Sequence, residues 1–257
     1  MVFKPEHHPR PESVWHDEEE LSLKMKELEG VFETTRPAFE DLVRQMREPI
    51  KKHRWGALLG EDRSGRLPAL VLGFLLERAA QEEGVKSPKR FFLSGGYRGP
   101  ERGNQLQEYL RTIRPDLGDR ILLVTEHVSS GKTVLELGAL FRKEGLEFDV
   151  AALSGSLEHN ASQGSPQEKA ILKGVRRYEV SDEVEKVNPG DAFYNKLSAK
   201  EATGVEKHMY PWEPIASRNY WADPELVEAA RKKAHDLADE LYEKYFVEKP
   251  EESAKAA

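Results

Sequence analysis

The sequence predicts an α/β protein built on a doubly wound parallel sheet, with an N-terminal helical arm and a C-terminal helix. Three observations carry this expectation. Between residues 55 and 155, strand-like apolar runs alternate with stretches of helical period. The central run, RILLVTE (120–126), is apolar without alternation, as suits a strand covered on both faces. Short loops bearing glycine, serine and charge follow the strand runs, where open α/β sheets place their ligands.

Residues 1–17 read as an extended arm. It carries His7, His8 and His16, whose scattered spacing fits solvated side chains better than a metal site. From Glu18 to about Lys52 the pattern is helical, with Leu21, Met25 and Leu28 on one face. Pro37 is expected to start a second helix, with Phe39, Leu42, Val43 and Met46 inward. WGALLGED (55–62) reads as a strand and RLPALVLGFLLERAA (66–80) as a helix, followed by strand RFFLSGG (90–96) and helix QLQEYLRTI (105–113). After the central strand, TVLELGALFRKEG (133–145) is helical, with Gly145 a candidate C-cap. FDVAALSG (148–155) is the fourth strand, and RRYEV (176–180) is a candidate fifth. Asp223 and Pro224 open the last helix, whose stripe is Leu226, Ala230, Ala234, Leu237, Leu241 and Tyr245. The expected division is an arm (1–17), a helical extension (18–53), an α/β core (54–181), an irregular region (182–222), a helix (223–247) and a disordered tail (248–257).

A formal net charge of −7 opposes non-specific nucleic-acid binding. With no cysteine, disulfides and thiolate chemistry are excluded. No apolar run approaches the roughly 20 residues of a membrane helix, and the N-terminus lacks a hydrophobic signal region. A cytoplasmic protein without membrane partners is the expectation.

The segment ILLVTEHVSSGKT (121–133) is the most informative. The apolar run ends at Val124, and Glu126 follows. Ser129, Ser130, Gly131 and Thr133 then lead into a helix. Backbone amides, hydroxyls and a helix N-terminus converging in one turn suit a monophosphate. Glu126 can accept hydrogen bonds from vicinal ribose hydroxyls. A plain strand–helix turn is the bland alternative. SSGKT also ends like a P-loop, but the first glycine of that motif would fall on Glu126, a carboxylate facing polyphosphate.

VTEHVSSGKT (124–133) resembles the ribose-phosphate signature of the type I phosphoribosyltransferase family, in particular an uncharacterised bacterial variant of it. The resemblance covers residues 55–155 and loosely the ends. It implies the family's fold, and ribose 5-phosphate held by Thr125, Glu126, His127, Val128, Ser129, Ser130, Gly131, Lys132 and Thr133. Thr125 stands where the family's first acid is usual, which weakens ribose and Mg²⁺ contacts. His127 is a partial substitute for that acid or a plain loop residue.

The loop in LLGEDRSGRLP (58–68) would bind pyrophosphate through Asp62, Arg63, Ser64, Gly65 and Arg66; a helix cap at Ser64 with solvated arginines is the alternative. In SGGYRGPERGN (94–104), Arg98 and Arg102 would close over pyrophosphate, or lie in a solvated loop. Tyr194, Tyr210 and Trp212 would stack on a base, or are core residues. By resemblance, Glu126, Arg98 and Arg102 carry catalysis, and Asp62 and Glu126 contact Mg²⁺. Besides the P-loop NTPase, two functions remain open. One is a Mg²⁺-dependent transfer of ribose 5-phosphate between phosphoribosyl pyrophosphate and a nitrogenous base. The other is a non-catalytic sensor of phosphoribosyl pyrophosphate or a nucleotide. A homodimer is compatible with either.

Overall fold

The computed structural model describes residues 18–62, 65–94, 100–128, 130–155, 157, 164–181, 184, 201–206, 217–218 and 222–247. The N-terminal helix α1 runs unbroken over Glu18–Lys51. Pro37 therefore does not start a second helix. Pro37 and Glu33, whose carbonyl loses its amide partner, both lie on the exposed side, where water can take that bond. Leu28, Val31 and Phe32 before the proline, and Ala38, Phe39, Leu42, Val43 and Met46 after it, form one buried stripe. Burial of that stripe outweighs a proline cost of about 3 kcal/mol.

The chain then alternates: β1 (Ala57–Asp62), α2 (Arg66–Glu82), β2 (Lys89–Ser94), α3 (Pro100–Leu117), β3 (Arg120–Val128), α4 (Lys132–Lys143) and β4 (Glu147–Gly155). A short helix α5 (Pro166–Ile171) leads to β5 (Arg177–Glu179). Strands β6 (Val205–Glu206) and β7 (Ser217–Arg218) form a separate antiparallel pair, and helix α6 (Pro224–Tyr245) follows. The five-stranded sheet is parallel throughout, in the order β2-β1-β3-β4-β5.

Each face of the sheet buries its own core. Leu58, Leu122, Val124, Ala151 and Leu153 pack beneath α1, α2 and α6. Ala57, Leu59, Ile121, Leu123, Val150 and Ala152 pack beneath α3 and α4. Helices α1 and α6 thus belong to the same core as the sheet. They are also tied across their surfaces by Arg36 to Glu240, Lys233 to Glu29 and Lys244 to Glu40.

Local signals hold the ends. Asp223 caps α6, accepting from the Glu225 and Leu226 amides at 2.8 and 3.3 Å. Gly145, at φ +67°, lets the Leu146 amide reach back to the Phe141 carbonyl at 2.8 Å, which closes α4. At the amino end of the sheet, the fully buried Asp149 carboxylate accepts from Arg54 Nε (2.7 Å), Trp55 Nε1 (2.9 Å), Arg120 Nη1 (2.9 Å) and the Arg176 amide (3.1 Å). Among the described residues no helix is long and apolar enough to cross a membrane.

Candidate functional site

The order β2-β1-β3 makes β1 and β3 the point where the chain reverses its direction of winding. After β1 the chain enters α2, on the α1/α6 face; after β3 it enters α4, on the opposite face. Two helix N-termini therefore diverge from neighbouring strand ends, which is where open α/β sheets bind ligands. The backbone widens this opening. The β1–β3 ladder stops at Gly60↔Val124. Yet β1 stays with β2 as far as Asp62↔Ser94, and β3 stays with β4 as far as Val128↔Gly155. The sheet splits at its carboxyl edge, between Glu61 and Thr125.

Strand β3 is longer than its apolar run indicates. It ends at Val128, not Val124, so Glu126, His127 and Val128 are ladder residues and the turn contracts to 129–131. The equally long β4 keeps it paired. Gly155, at φ +75°, permits this, because a Cβ there would stand 2.0 Å from the Val128 carbonyl oxygen.

The register with β4 is kept at Thr125 and His127, so side chains alternate as far as His127, whereas Val128 turns back to the core beneath α3 and α4. Thr125 and His127 share the face of Ile121 and Leu123, toward α3 and α4. Glu126 shares the face of Leu122 and Val124, where it is 2% exposed. The structure thus separates Glu126 from the residues grouped with it in sequence.

On the α3/α4 side a polar row crosses the strand ends. Thr125, 1% exposed, donates its hydroxyl to Glu61 Oε2 at 2.8 Å. His127 Nδ1 lies 2.7 Å from Ser154 Oγ. Ser154 in turn donates to the Glu126 carbonyl at 3.3 Å, which assigns the histidine Nδ1–H as donor to the serine oxygen. The His127 side chain is exposed. Sequence reasoning missed Glu61 and Ser154, because their neighbours are set by cross-strand register.

Both helix N-termini carry a glycine at the N-cap, and neither Gly65 nor Gly131 caps its helix through a side chain. The N-cap of α2 falls on Gly65 and not on Ser64. A Cβ on Gly65 would meet the backbone oxygens of both Glu61 and Val124, so this residue lies directly over the split. Gly131 is left-handed, at φ +67°. The Lys132 amide donates a long 3.4 Å bond to Ser130 Oγ. First-turn amides that a glycine N-cap leaves without a side-chain acceptor, with the helix dipole behind them, suit an anion.

The remaining candidates divide. Ser130 and Lys132 are exposed and Thr133 is partly buried at the start of α4. The Arg66 guanidinium lies 3.9 Å from the centre of the Phe92 ring, over β2. Arg63, Ser64, Arg98, Ser129, Tyr194, Tyr210 and Trp212 lie outside the described residues, as do the side chains of Asp62 and Arg102 and the histidines of the arm.

Magnesium takes oxygen ligands and keeps several waters, often sharing one or two carboxylates with a ligand's phosphates. Among the described residues no group of three or more histidines and acids stands ready to hold a metal ion. Glu61 and Glu126 occupy opposite faces, so of these two carboxylates only Glu61 is offered at the split. Most of the coordination would fall to ligand phosphates and water.

No protein-family model, no curated protein and no solved structure matches the chain.

Proposed function

We propose that this chain binds a ribose 5-phosphate ligand, phosphoribosyl pyrophosphate or a nucleoside monophosphate, at the split carboxyl edge of β1 and β3. In this reading the sheet is of the phosphoribosyltransferase type. The 5-phosphate sits at the α4 N-terminus, around 129–133. The loop after β1, 61–66, receives pyrophosphate. The chemistry is transfer of ribose 5-phosphate to or from a nitrogenous base.

One observation carries the reading: neighbouring strands part where two helix N-termini with glycine N-caps leave for opposite faces of the sheet. This gives one crevice two anion-binding ends, as a sugar with a phosphate at one end and a pyrophosphate at the other requires. Catalysis would rest on fixed charge. The sugar becomes cationic as the bond breaks, and the leaving pyrophosphate gathers negative charge that the α2 N-terminus stabilises. Mg²⁺, when bound, neutralises part of that charge.

The geometry tells against a P-loop reading. That motif must wrap polyphosphate in a loop beginning at position 126, but 126–128 are tied into the ladder with β4. A sensor without turnover has its own support. Thr125 brings no charge, and α2, whose first residue follows the split, packs on both α1 and α6. Ligand occupancy would reach the outer helices through that contact.

Thermal-shift titration with phosphoribosyl pyrophosphate, nucleoside monophosphates and ATP, each with Mg²⁺, tests the reading. It expects stabilisation by the first two classes. Stabilisation by ATP alone, with hydrolysis, restores the P-loop. Pyrophosphate release with a base present separates enzyme from sensor.

A further inference from the structure

We propose that Glu61, oriented by Thr125, is the carboxylate that accepts the pentose hydroxyls of the ligand. The inference rests on the sugar-phosphate reading above and gives it the sugar-binding acid that position 125 lacks. Strand β3 carries one acid near its carboxyl end, Glu126, and the alternation of the strand buries it on the α1/α2/α6 face. The side chain facing α3 and α4 at the split is Thr125, which is neutral. Its hydroxyl lies 2.8 Å from Glu61 Oε2 on the neighbouring strand. A threonine in this place thus recruits an acid across the seam.

The geometry suits a hydroxyl reader. Glu61 is only partly buried, at the strand end, so a ligand entering the split can reach it. A carboxylate accepts up to about four hydrogen bonds, and the bond from Thr125, which orients it, takes one of them. Thr125 is 1% exposed and is held in the ladder beside Ala152, which fixes the donor. Helix α4 lies on the same face. A phosphate at its N-terminus and a sugar hydroxyl at Glu61 would therefore lie on the same side of the sheet.

The test compares ribose 5-phosphate with 2-deoxyribose 5-phosphate by calorimetric titration of the full chain. It is done in EDTA, so that no divalent cation bridges ligand and carboxylate. The variants are Glu61→Gln and Thr125→Val, with circular dichroism checking the fold. The readout is the ratio of the two affinities, since removing a negative charge beside a phosphate raises both. The wild-type chain is expected to prefer ribose by about tenfold. Glu61→Gln should bring the ratio to within about twofold, and Thr125→Val should lower it partway, with no further loss in the double variant. Thr125→Val keeps the shape of the side chain and carries the test if Glu61→Gln does not fold. Equal wild-type affinity for the two sugars, or a preference that survives both substitutions, overturns the inference and leaves the phosphate pocket standing. Loss of the preference in Glu126→Gln instead also overturns it. Binding of neither sugar removes the pocket and this inference together.

Discussion

A Cβ placed on Gly65 would stand 2.7 Å from the carbonyl oxygen of Glu61 and 2.8 Å from that of Val124. Both obstacles are main chain at the ends of β1 and β3, so neither can swing aside. Gly65→Ala should force the α2 N-terminus off the split. The expected cost is about 1–3 kcal/mol by urea unfolding. Sugar-phosphate affinity measured on the folded variant should fall at least tenfold.

Gly131 makes a different demand. Its φ of +67° is left-handed, and an L side chain there costs about 1–2 kcal/mol. Gly131→Ala should lower the melting temperature and weaken binding of inorganic phosphate. Gly84, also left-handed but at the far end of α2, provides the control. Gly84→Ala should lower stability similarly and leave phosphate binding intact.

Removing the Asp149 carboxylate leaves Arg54, Arg120, the Trp55 indole and the Arg176 amide facing a vacated acceptor. Asp149→Ala is expected to destabilise by about 3 kcal/mol or more, read from denaturant unfolding. The site is at the amino end of the sheet. The affinity of whatever remains folded should stay within about twofold of wild type.

Hydrogen bonds from Gln107 and then Arg111 hold the Glu144 carboxyl below its ordinary range. A carboxylate whose folded pKa is depressed adds stability above its unfolded value, about 4.3. That stability is lost as pH falls through the lower folded value. Melting temperature followed from pH 7 down to pH 3 should therefore drop less steeply in Glu144→Gln than in wild type. Parallel curves would refute the linkage.

Much of the fold was legible because local pattern decides it. The apolar run of β3, the stripe and Asp223 cap of α6 and the Gly145 ending of α4 are each written within a few residues. Pro37 misled because its cost is local, whereas the stripe that carries α1 past it is earned by packing on α6, α2 and the sheet. The end of β3 misled for a related reason. His127 and Val128 read as the start of a loop, yet pairing with β4 keeps the strand extended and sends Glu126 to one face and Thr125 to the other. The bond between Thr125 and Glu61 joins residues 64 positions apart. It depends on register between strands, which no single segment encodes.

The early end of the β1–β3 ladder has a mechanical consequence. Beyond Gly60 and Val124 each strand is held in the sheet by its outer neighbour, and the bond from Thr125 to Glu61 spans the gap in place of a ladder rung. Widening the gap therefore costs one side-chain hydrogen bond and no backbone rung. On the sugar-phosphate reading proposed above, a bare sugar phosphate and a bulkier nucleotide would then be gripped by the same jaws.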